Sequence, residues 1–187
     1  MKWLLLVLAG TVLCTFGDYL HARQGVLAYH HPFWSLQAIW VPPEFAIATL
    51  AALMGARRFV RGQPPASMLR VVTDGAWFMG AYAYTSFAEP SHANVTLAAL
   101  AVAWALHVIA QRRSPGTIVW CVVLAICGCL AEGTLSRTGA FWYVYPDVYG
   151  VPRWLPGIYL HAGIATASMA AWLQPSVEQR AERLVDA

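Results

Sequence analysis

Six apolar stretches of about 20 residues, separated by short polar segments, run along the chain. A stretch of about 20 apolar residues is long enough to cross the hydrocarbon core of a bilayer as one helix. The pattern therefore predicts six transmembrane helices, at 3–22, 36–55, 68–88, 93–111, 117–135 and 154–174. Only Glu89–His92 separates the third helix from the fourth. This tight turn predicts that the two helices form an antiparallel hairpin.

These helices define the fold class as an all-α integral membrane protein, a bundle of six transmembrane helices. The bundle forms one domain over 1–174, and a charged tail over 175–187 follows it on the cytoplasmic side. The first apolar run follows Lys2 but leads into Gly17–His21 instead of a small-x-small cleavage motif. We therefore expect it to be a retained first helix and not a signal peptide.

Composition narrows the functional classes. Of the 187 residues, 59% are hydrophobic and only 11% are charged, and the net charge is +3. A soluble domain carries about 25% charged residues. These values exclude an acidic disordered chain, and the charge is too sparse for a nucleic-acid groove, so no nucleic-acid partner is expected.

Lysine and arginine are unevenly divided between the two sides of the predicted bundle. With six spans, nine of the twelve share a side with the N-terminus and three lie on the other side. Basic residues collect on the cytoplasmic side of membrane proteins, so the split predicts that both termini are cytoplasmic. A five-span topology gives a much weaker bias. The chain is rich in alanine and arginine and nearly free of lysine, which indicates a bacterial protein of the inner membrane.

Most acidic residues lie within or beside the predicted helices. A charge near the bilayer centre costs at least about 2.5–3.5 kcal/mol, so each acid needs a partner, a water-lined cavity or a proton. Asp74 follows Arg70 by four residues, the spacing of a local ion pair. Glu44 and His161 lie about eight residues in from the outer side. Four acids lie near outer helix ends: Asp18, Glu89, Glu132 and Asp147.

This outer-half polarity has three interpretations. It can form a polar pocket above an apolar cavity, suited to a lipid with a small polar head. It can form an active site in which two carboxylates and His161 move protons. It can also pair internally and fix the packing of the helices. Under the first interpretation no residue is expected to be catalytic. The candidate lipid-binding residues are then Asp18, Trp40, Glu44, Trp77, Glu132, Asp147 and His161.

Pro42 and Pro43 remove two backbone donors from the predicted second helix. We expect them to bend or unwind that helix near Glu44 and to open space in the bundle.

No metal site and no cofactor are predicted. His30 and His31 are adjacent on a loop and point in different directions, and no third ligand is placed by spacing. The expected small molecule is instead a bound neutral lipid.

Several short motifs occur in a fixed order along nearly the whole chain. They are Trp40–Pro43, Phe87–Ala88 followed by Thr96–Leu100, Arg112–Gly116, and Tyr145–Asp147 followed by Trp154–Pro156. Each is weak by itself, but together and in order they resemble the insulin-induced gene (Insig) family of sterol-sensing membrane proteins. Three positions depart from the family pattern. Gln111 stands where the family has an acidic residue, His92 where it has glutamine, and Arg153 where it has serine.

The resemblance implies six helices with cytoplasmic termini, a fold that the apolar pattern and the charge split also predict. It further implies a non-enzymatic protein that holds a sterol or similar lipid among its helices and engages a polytopic membrane partner. Because most bacteria lack sterols, a diacylglycerol or another neutral lipid is the better candidate ligand.

Three functions therefore remain open at the level of the sequence. The leading one is a lipid-binding sensor, which acts alone, as a homo-oligomer or with a polytopic partner. The second is an intramembrane hydratase or isomerase acting on a polyprenoid through Glu44, Glu132 and His161. The third is a structural assembly protein in which lipid is only a filler.

Overall fold

The computed structural model describes residues 1–33 and 35–175, so the predicted tail beyond Pro175 lies outside the described residues. The prediction of an all-α membrane bundle with six long helices is confirmed. A single 3₁₀ turn, Pro90–His92, joins the third and fourth helices. The helices are α1 Lys2–Arg23, α2 Val41–Phe59, α3 Met68–Phe87, α4 Ala93–Ala110, α5 Pro115–Arg137 and α6 Leu155–Trp172.

Two short strands accompany the helices, a feature that the sequence analysis did not predict. Strand β1, Leu27–Tyr29, lies in the α1–α2 loop, and strand β2, Phe141–Tyr143, lies in the α5–α6 loop. They pair antiparallel, with Leu27 opposite Tyr143 and Tyr29 opposite Phe141. We call this end of the bundle the sheet end and the opposite end, which carries Lys2, the N-terminal end.

Helix α6 is the centre of the bundle. It packs against α2, α3, α4 and α5, whereas α1 packs against α2 and α3. Small residues dominate its buried surface, which lets neighbouring backbones come close. The buried alanines of α6 are Ala162, Ala165, Ala167, Ala170 and Ala171. Gly163 continues this surface, since a Cβ atom there would lie 2.6 Å from the Cα atom of Cys121 in α5.

Local sequence signals mark several helix starts. The hydroxyl of Ser67 accepts a hydrogen bond from the backbone N–H of Arg70, and Ser114 does the same for Thr117. Such N-caps satisfy amide donors that have no partner within the helix. Proline occupies the first turn of α2, α5 and α6, where its missing N–H costs nothing.

The expected distortion at Pro42 and Pro43 is wrong. The second helix begins at Val41 and not at 36, so both prolines lie in its first turn and remove no intrahelical hydrogen bond. The chain before Val41 is a loop that returns from β1. The prolines therefore start α2 instead of bending it.

The six helices differ in how strongly their length and apolarity indicate a membrane span. Within the described part of the chain, three stretches are long and apolar enough to cross a membrane by length and composition: Lys2–Arg23, Pro90–Ala110 and Pro115–Arg137. The other three helices, α2, α3 and α6, do not meet this criterion. Helix α6 nevertheless carries no charged residue, and its polar residues His161 and Ser168 are buried among other helices.

The α5–α6 contact gives a test of the packing. Gly163→Ala places a methyl group against the backbone of Cys121 and should destabilise the bundle by about 1–3 kcal/mol. Gly80→Ala is the matched control, since no atom lies within 4 Å of a Cβ atom at that position. Alanine is favoured over glycine in a helix by about 0.5–1 kcal/mol. In detergent, the thermal midpoint of unfolding should fall for Gly163→Ala only, and equal midpoints would contradict the packing argument.

Candidate functional site

A cavity of about 310 Å³ lies between α2 and α5 at the sheet end. At the N-terminal end these two helices are in contact. The ring of Trp120 of α5 packs against Gly55 of α2, and Gly116 of α5 lies against the Phe59 carbonyl. Toward the sheet end the facing side chains do not fill the gap. Exposed small residues flank it there: Ala48 and Ala51 on α2, Cys127 and Ala131 on α5. The cavity therefore opens sideways, between the two helices.

A second space of about 110 Å³ continues this cavity toward the bundle interior. The two share wall residues that include Phe45, Tyr82, Leu124 and Tyr159. The walls of the inner space are mostly apolar: Leu13, Phe78, Ile158, Ala162, Ala165 and Met169 are among them. Carboxyl groups thus line the outer part, whereas the inner part is mostly hydrocarbon and has no charged residue in its walls.

Asp18 of α1 lines the outer cavity and accepts two hydrogen bonds on one of its carboxyl oxygens. Its Oδ2 atom accepts hydrogen bonds from the Tyr29 hydroxyl at 2.8 Å and from Gln37 Nε2 at 2.6 Å. Gln37 Nε2 also donates to the Thr15 carbonyl at 2.9 Å. The side chain of Asp18 is almost fully buried. These bonds offset the cost of placing a carboxyl group away from water.

Glu132 of α5, on the other wall, accepts one hydrogen bond on each carboxyl oxygen. The hydroxyl of Tyr159 donates to Oε1 at 2.5 Å, and the hydroxyl of Tyr143 donates to Oε2. Burial and the neighbouring Glu132 raise the pKa of the Tyr143 phenol well above its ordinary value. The phenol therefore keeps its proton and remains a hydrogen-bond donor.

The two-stranded sheet positions two of these donors. Side chains alternate between the faces of a strand, so Tyr29 of β1 and Tyr143 of β2 point to the buried face, together with Leu27 and Phe141. Trp142 points to the other face and is 40% exposed. The pairing of β1 with β2 thus brings one phenol to Asp18 and one to Glu132.

Glu44 differs from the other two cavity carboxyls. It lies in the first turn of α2, lines the cavity and is half-buried. Within residues 1–33 and 35–175 its carboxyl group has no hydrogen-bond partner, whereas Asp18 and Glu132 each have two. Glu44 is therefore the one carboxyl group of the cavity that has no hydrogen-bond partner among the described residues.

The structure brings four of the seven sequence-predicted residues together. Asp18, Trp40, Glu44 and Glu132 all line the outer cavity. Trp40 is fixed by an edge contact with Tyr29, with ring centroids 5.6 Å apart. These four residues come from α1, from the loop before α2, from α2 itself and from α5, so only the fold makes them neighbours.

The other three predicted residues lie away from the cavity walls. His161 of α6 is buried, with Nε2 3.2 Å from the carbonyl oxygen of Leu100, and its ring stacks on Trp77 at 6.3 Å. Trp77 is 47% exposed on the outer side of α3. Asp147 lies in the α5–α6 loop and forms an exposed ion pair with Arg153 at 3.3 Å.

The sequence analysis did not predict several residues that line the cavity or donate hydrogen bonds to its carboxyl groups. They are His21, Tyr29, Gln37, Tyr143 and Tyr159. Tyr29 and Tyr143 stand in loops, and their role depends on the pairing of two segments more than a hundred residues apart. The available signal was the short run Phe141–Tyr143, whose aromatic residues favour a strand. His21 lies 2.9 Å from the Thr85 hydroxyl, an interhelical contact that spacing does not predict.

A second buried polar cluster lies nearer the N-terminal end. Asp74 of α3 contacts Arg113 Nη2 at 2.5 Å and His107 Nε2 at 2.9 Å, and the Ser168 hydroxyl donates to it. The side chains of Asp74 and Arg113 are 1% and 3% exposed. Asp74 therefore pairs across the bundle and not with Arg70 one turn away. The cluster ties the α4–α5 loop to α3, α4 and α6.

Comparison with solved structures identifies the fold. The mycobacterial Insig homolog MvINS from Mycobacterium vanbaalenii superposes with a TM-score of 0.81 at 22% sequence identity, over 94% of this chain and 97% of that chain. A cross-linked trimer of a cysteine variant of MvINS gives the same TM-score of 0.81 and the same coverage at 23% identity. No protein-family model and no curated protein matches the sequence. The chain has the fold of a bacterial Insig homolog, which confirms the fold that the resemblance implied.

The ion pairs of Asp74 and Asp147, one buried and one exposed, give a matched test of how burial affects their contribution to stability. Asp74→Asn leaves Arg113 as a buried charge without its counter-charge and should cost about 3 kcal/mol or more of stability. Asp147→Asn removes an exposed pair and should cost less than about 1 kcal/mol. Thermal unfolding of both variants in the same detergent measures the difference. An Asp74→Asn protein as stable as Asp147→Asn would show that the buried cluster does not hold the bundle together.

Proposed function

We propose that the protein binds one neutral lipid with a hydroxylated head, of the diacylglycerol class, and acts as a lipid sensor or lipid-binding protein. The observation that carries the proposal is the open carboxyl group of Glu44 in a polar cavity that continues into an apolar one. An amphipathic ligand matches this division, because its head and its chains need different surroundings.

The head of the ligand supplies the selectivity. Bilayer lipid is as apolar as the inner cavity, so burial of acyl chains alone does not favour the site over the membrane. A hydroxyl group that bonds to Glu44 gains a partner that the bilayer core does not offer. Asp18 and Glu132 already accept hydrogen bonds from Tyr29, Gln37, Tyr143 and Tyr159, whereas Glu44 accepts none from the described residues.

The route of entry follows from the small residues on the flanks of the cavity. Ala48, Ala51, Cys127 and Ala131 are exposed on the outer surfaces of α2 and α5. A lipid can therefore pass from the bilayer between these two helices without crossing water. Its chains would extend toward Phe45, Ala165 and Met169, in the inner part.

The same geometry favours binding over turnover. A hydratase or isomerase needs an acid and a base that reach one substrate atom. Of the residues suggested for that role, His161 lies outside the cavity walls, and both carboxylate oxygens of Glu132 accept tyrosine donors. Glu44 remains as a single open group. One such group suits recognition of a hydroxyl better than proton transfer in two directions.

A diacylglycerol is preferred to a sterol as the ligand. The structure with the same fold is a mycobacterial Insig homolog, and the composition of this chain is typical of a bacterial protein. Most bacteria lack sterols. The cross-linked trimer of MvINS supports a homo-oligomer for this chain also. A polytopic membrane partner is the alternative mode of action.

The orientation is part of the proposal, with both termini in the cytoplasm of a bacterial inner membrane. Cysteines introduced at two exposed loop positions, Gln111→Cys and Thr138→Cys, test it. A membrane-impermeant thiol reagent should label Thr138→Cys in intact cells and Gln111→Cys only after permeabilisation. The unmodified chain, whose own cysteines all lie in helices, is the background control. Labelling of Gln111→Cys in intact cells would reverse the orientation.

Retention of lipid tests the site itself. Glu44→Leu should weaken binding of diacylglycerol by about 5- to 150-fold, which corresponds to about 1–3 kcal/mol for a ligand hydroxyl left without its partner. Glu89→Leu, at an exposed position outside the cavity, is the matched control and should bind like the wild type. Binding is measured by titration of diacylglycerol into purified protein.

Equal affinities of the wild type, Glu44→Leu and Glu89→Leu for diacylglycerol would contradict the assignment of the head site. Appearance of a chemically altered lipid during the titration, lost in Glu44→Leu, would favour the enzyme instead.

A further inference from the structure

Three arginines line an open groove at the N-terminal end, and none of its lining residues belongs to the walls of the outer or the inner cavity. The groove has a volume of about 490 Å³ and lies between the last turn of α2 and the end of α6. Arg57, Arg58 and Arg61 supply its charge, and all three are exposed. Met54 and Pro175 supply apolar wall. We call it the arginine groove.

The backbone holds the arginine groove in a defined shape. After α2 the chain makes a turn in which the Gln63 N–H donates to the Val60 carbonyl, and Gly62 has a φ of +80°, which favours glycine. Gln174, at the end of α6, donates from Nε2 to the same carbonyl at 2.6 Å. This bond joins the two walls, so the arginines are carried on a fixed frame and not on a free loop.

Two neighbouring tryptophans place the groove at the membrane surface. The guanidinium group of Arg57 lies 5.2 Å from the centroid of the Trp3 ring, and Lys2 Nζ lies 4.7 Å from the centroid of Trp172. Tryptophan side chains collect at the level of the lipid headgroups. A groove beside Trp3 and Trp172 is therefore at the depth of lipid phosphates.

The positive charge of the groove has no counter-charge in the part of the chain that the structure describes. The ion pairs found there involve Asp74 and Asp147, and neither residue lines the groove. Asp18, Glu44, Glu89 and Glu132 do not line it either. Like charges so close together favour an anionic ligand.

We propose that the arginine groove binds the phosphate of an anionic phospholipid, of the phosphatidylglycerol type, from the membrane leaflet at the N-terminal end. Guanidinium groups donate paired N–H bonds that match phosphate oxygens. Basic pockets between membrane helices at this level bind anionic headgroups. Met54 gives the first part of an acyl chain an apolar surface. This site is separate from the lipid cavity and does not depend on the ligand proposed for it.

Native mass spectrometry of the full chain, titrated with dioleoyl phosphatidylglycerol or dioleoyl phosphatidylcholine, tests the proposal. In the variant Arg57→Gln/Arg58→Gln/Arg61→Gln the affinity for the first phosphatidylglycerol should fall about tenfold or more. The matched control is Arg23→Gln/Arg137→Gln/Arg153→Gln, which removes the same charge from exposed arginines at the sheet end. The control should bind phosphatidylglycerol like the wild type, and phosphatidylcholine should bind equally weakly to all three proteins.

Other outcomes would overturn the proposal. An equal loss of phosphatidylglycerol in both triple variants would show that only net charge matters. Displacement of the lipid by an equimolar amount of glycerol phosphate would identify the ligand as a free phosphate. A third outcome is that the wild type binds phosphatidylglycerol no better than phosphatidylcholine, whereas the variant Glu178→Gln/Glu182→Gln/Asp186→Gln does prefer phosphatidylglycerol. That result would show that the acidic residues of the chain's own C-terminal segment occupy the groove. Equal thermal midpoints of unfolding ensure that each variant tested is folded.

Discussion

Carboxyl groups within the thickness of a membrane need hydrogen-bond donors, and this requirement determines the architecture of the sheet end. Asp18 and Glu132 lie on different helices, and neither helix offers enough donors of its own. The donors come from the loops, because the β1–β2 pairing turns Tyr29 and Tyr143 inward. The short sheet thus has an electrostatic role, and it also closes the top of the bundle over the cavity.

The cavity results from unequal packing along the α2–α5 pair. Glycines at 55 and 116 allow close contact at the N-terminal end, while at the sheet end the facing side chains leave a cavity unfilled. The space between the two helices has polar walls where donors are present and apolar walls where they are not. Glu44 enters this space from the first turn of α2, in the position that the network leaves open. In the proposed function, recognition of the ligand head depends on Glu44, and the inner cavity accommodates the chains without selecting among lipids.

The helices could be predicted from the sequence and their contacts could not. The apolar pattern predicted all six helices, although only three stretches of the described chain are long and apolar enough to indicate a membrane span by themselves. The ordered motifs predicted the fold that the comparison with MvINS confirmed. The Pro42–Pro43 prediction was wrong because proline disrupts a helix only after its first turn, and the start of α2 depends on a loop. Asp74 was assigned a partner four residues away, but Arg113 provides a buried charge from another part of the chain. Local spacing describes one helix, and these polar contacts lie between helices.

The candidate site shows the same division. Asp18, Glu44 and Glu132 were recognised because a carboxyl group in an apolar run is costly and therefore conspicuous. Their tyrosine partners carry no such signal, since tyrosine is common at membrane surfaces. His161 and Trp77 were also predicted for the site, but they lie on faces of α6 and α3 that turn away from the cavity. The position of a residue along its helix can be counted from the sequence. The direction in which its side chain points relative to the cavity depends on how the whole bundle packs.

The most direct test of the central claim is quantitative mass spectrometry of the lipids that remain with gently purified wild-type protein. The account predicts about one neutral, hydroxyl-bearing lipid of the diacylglycerol class per chain, enriched well above its share of the membrane extract. A protein that retains only phospholipids in the proportions of the surrounding membrane, with no neutral lipid, would contradict it.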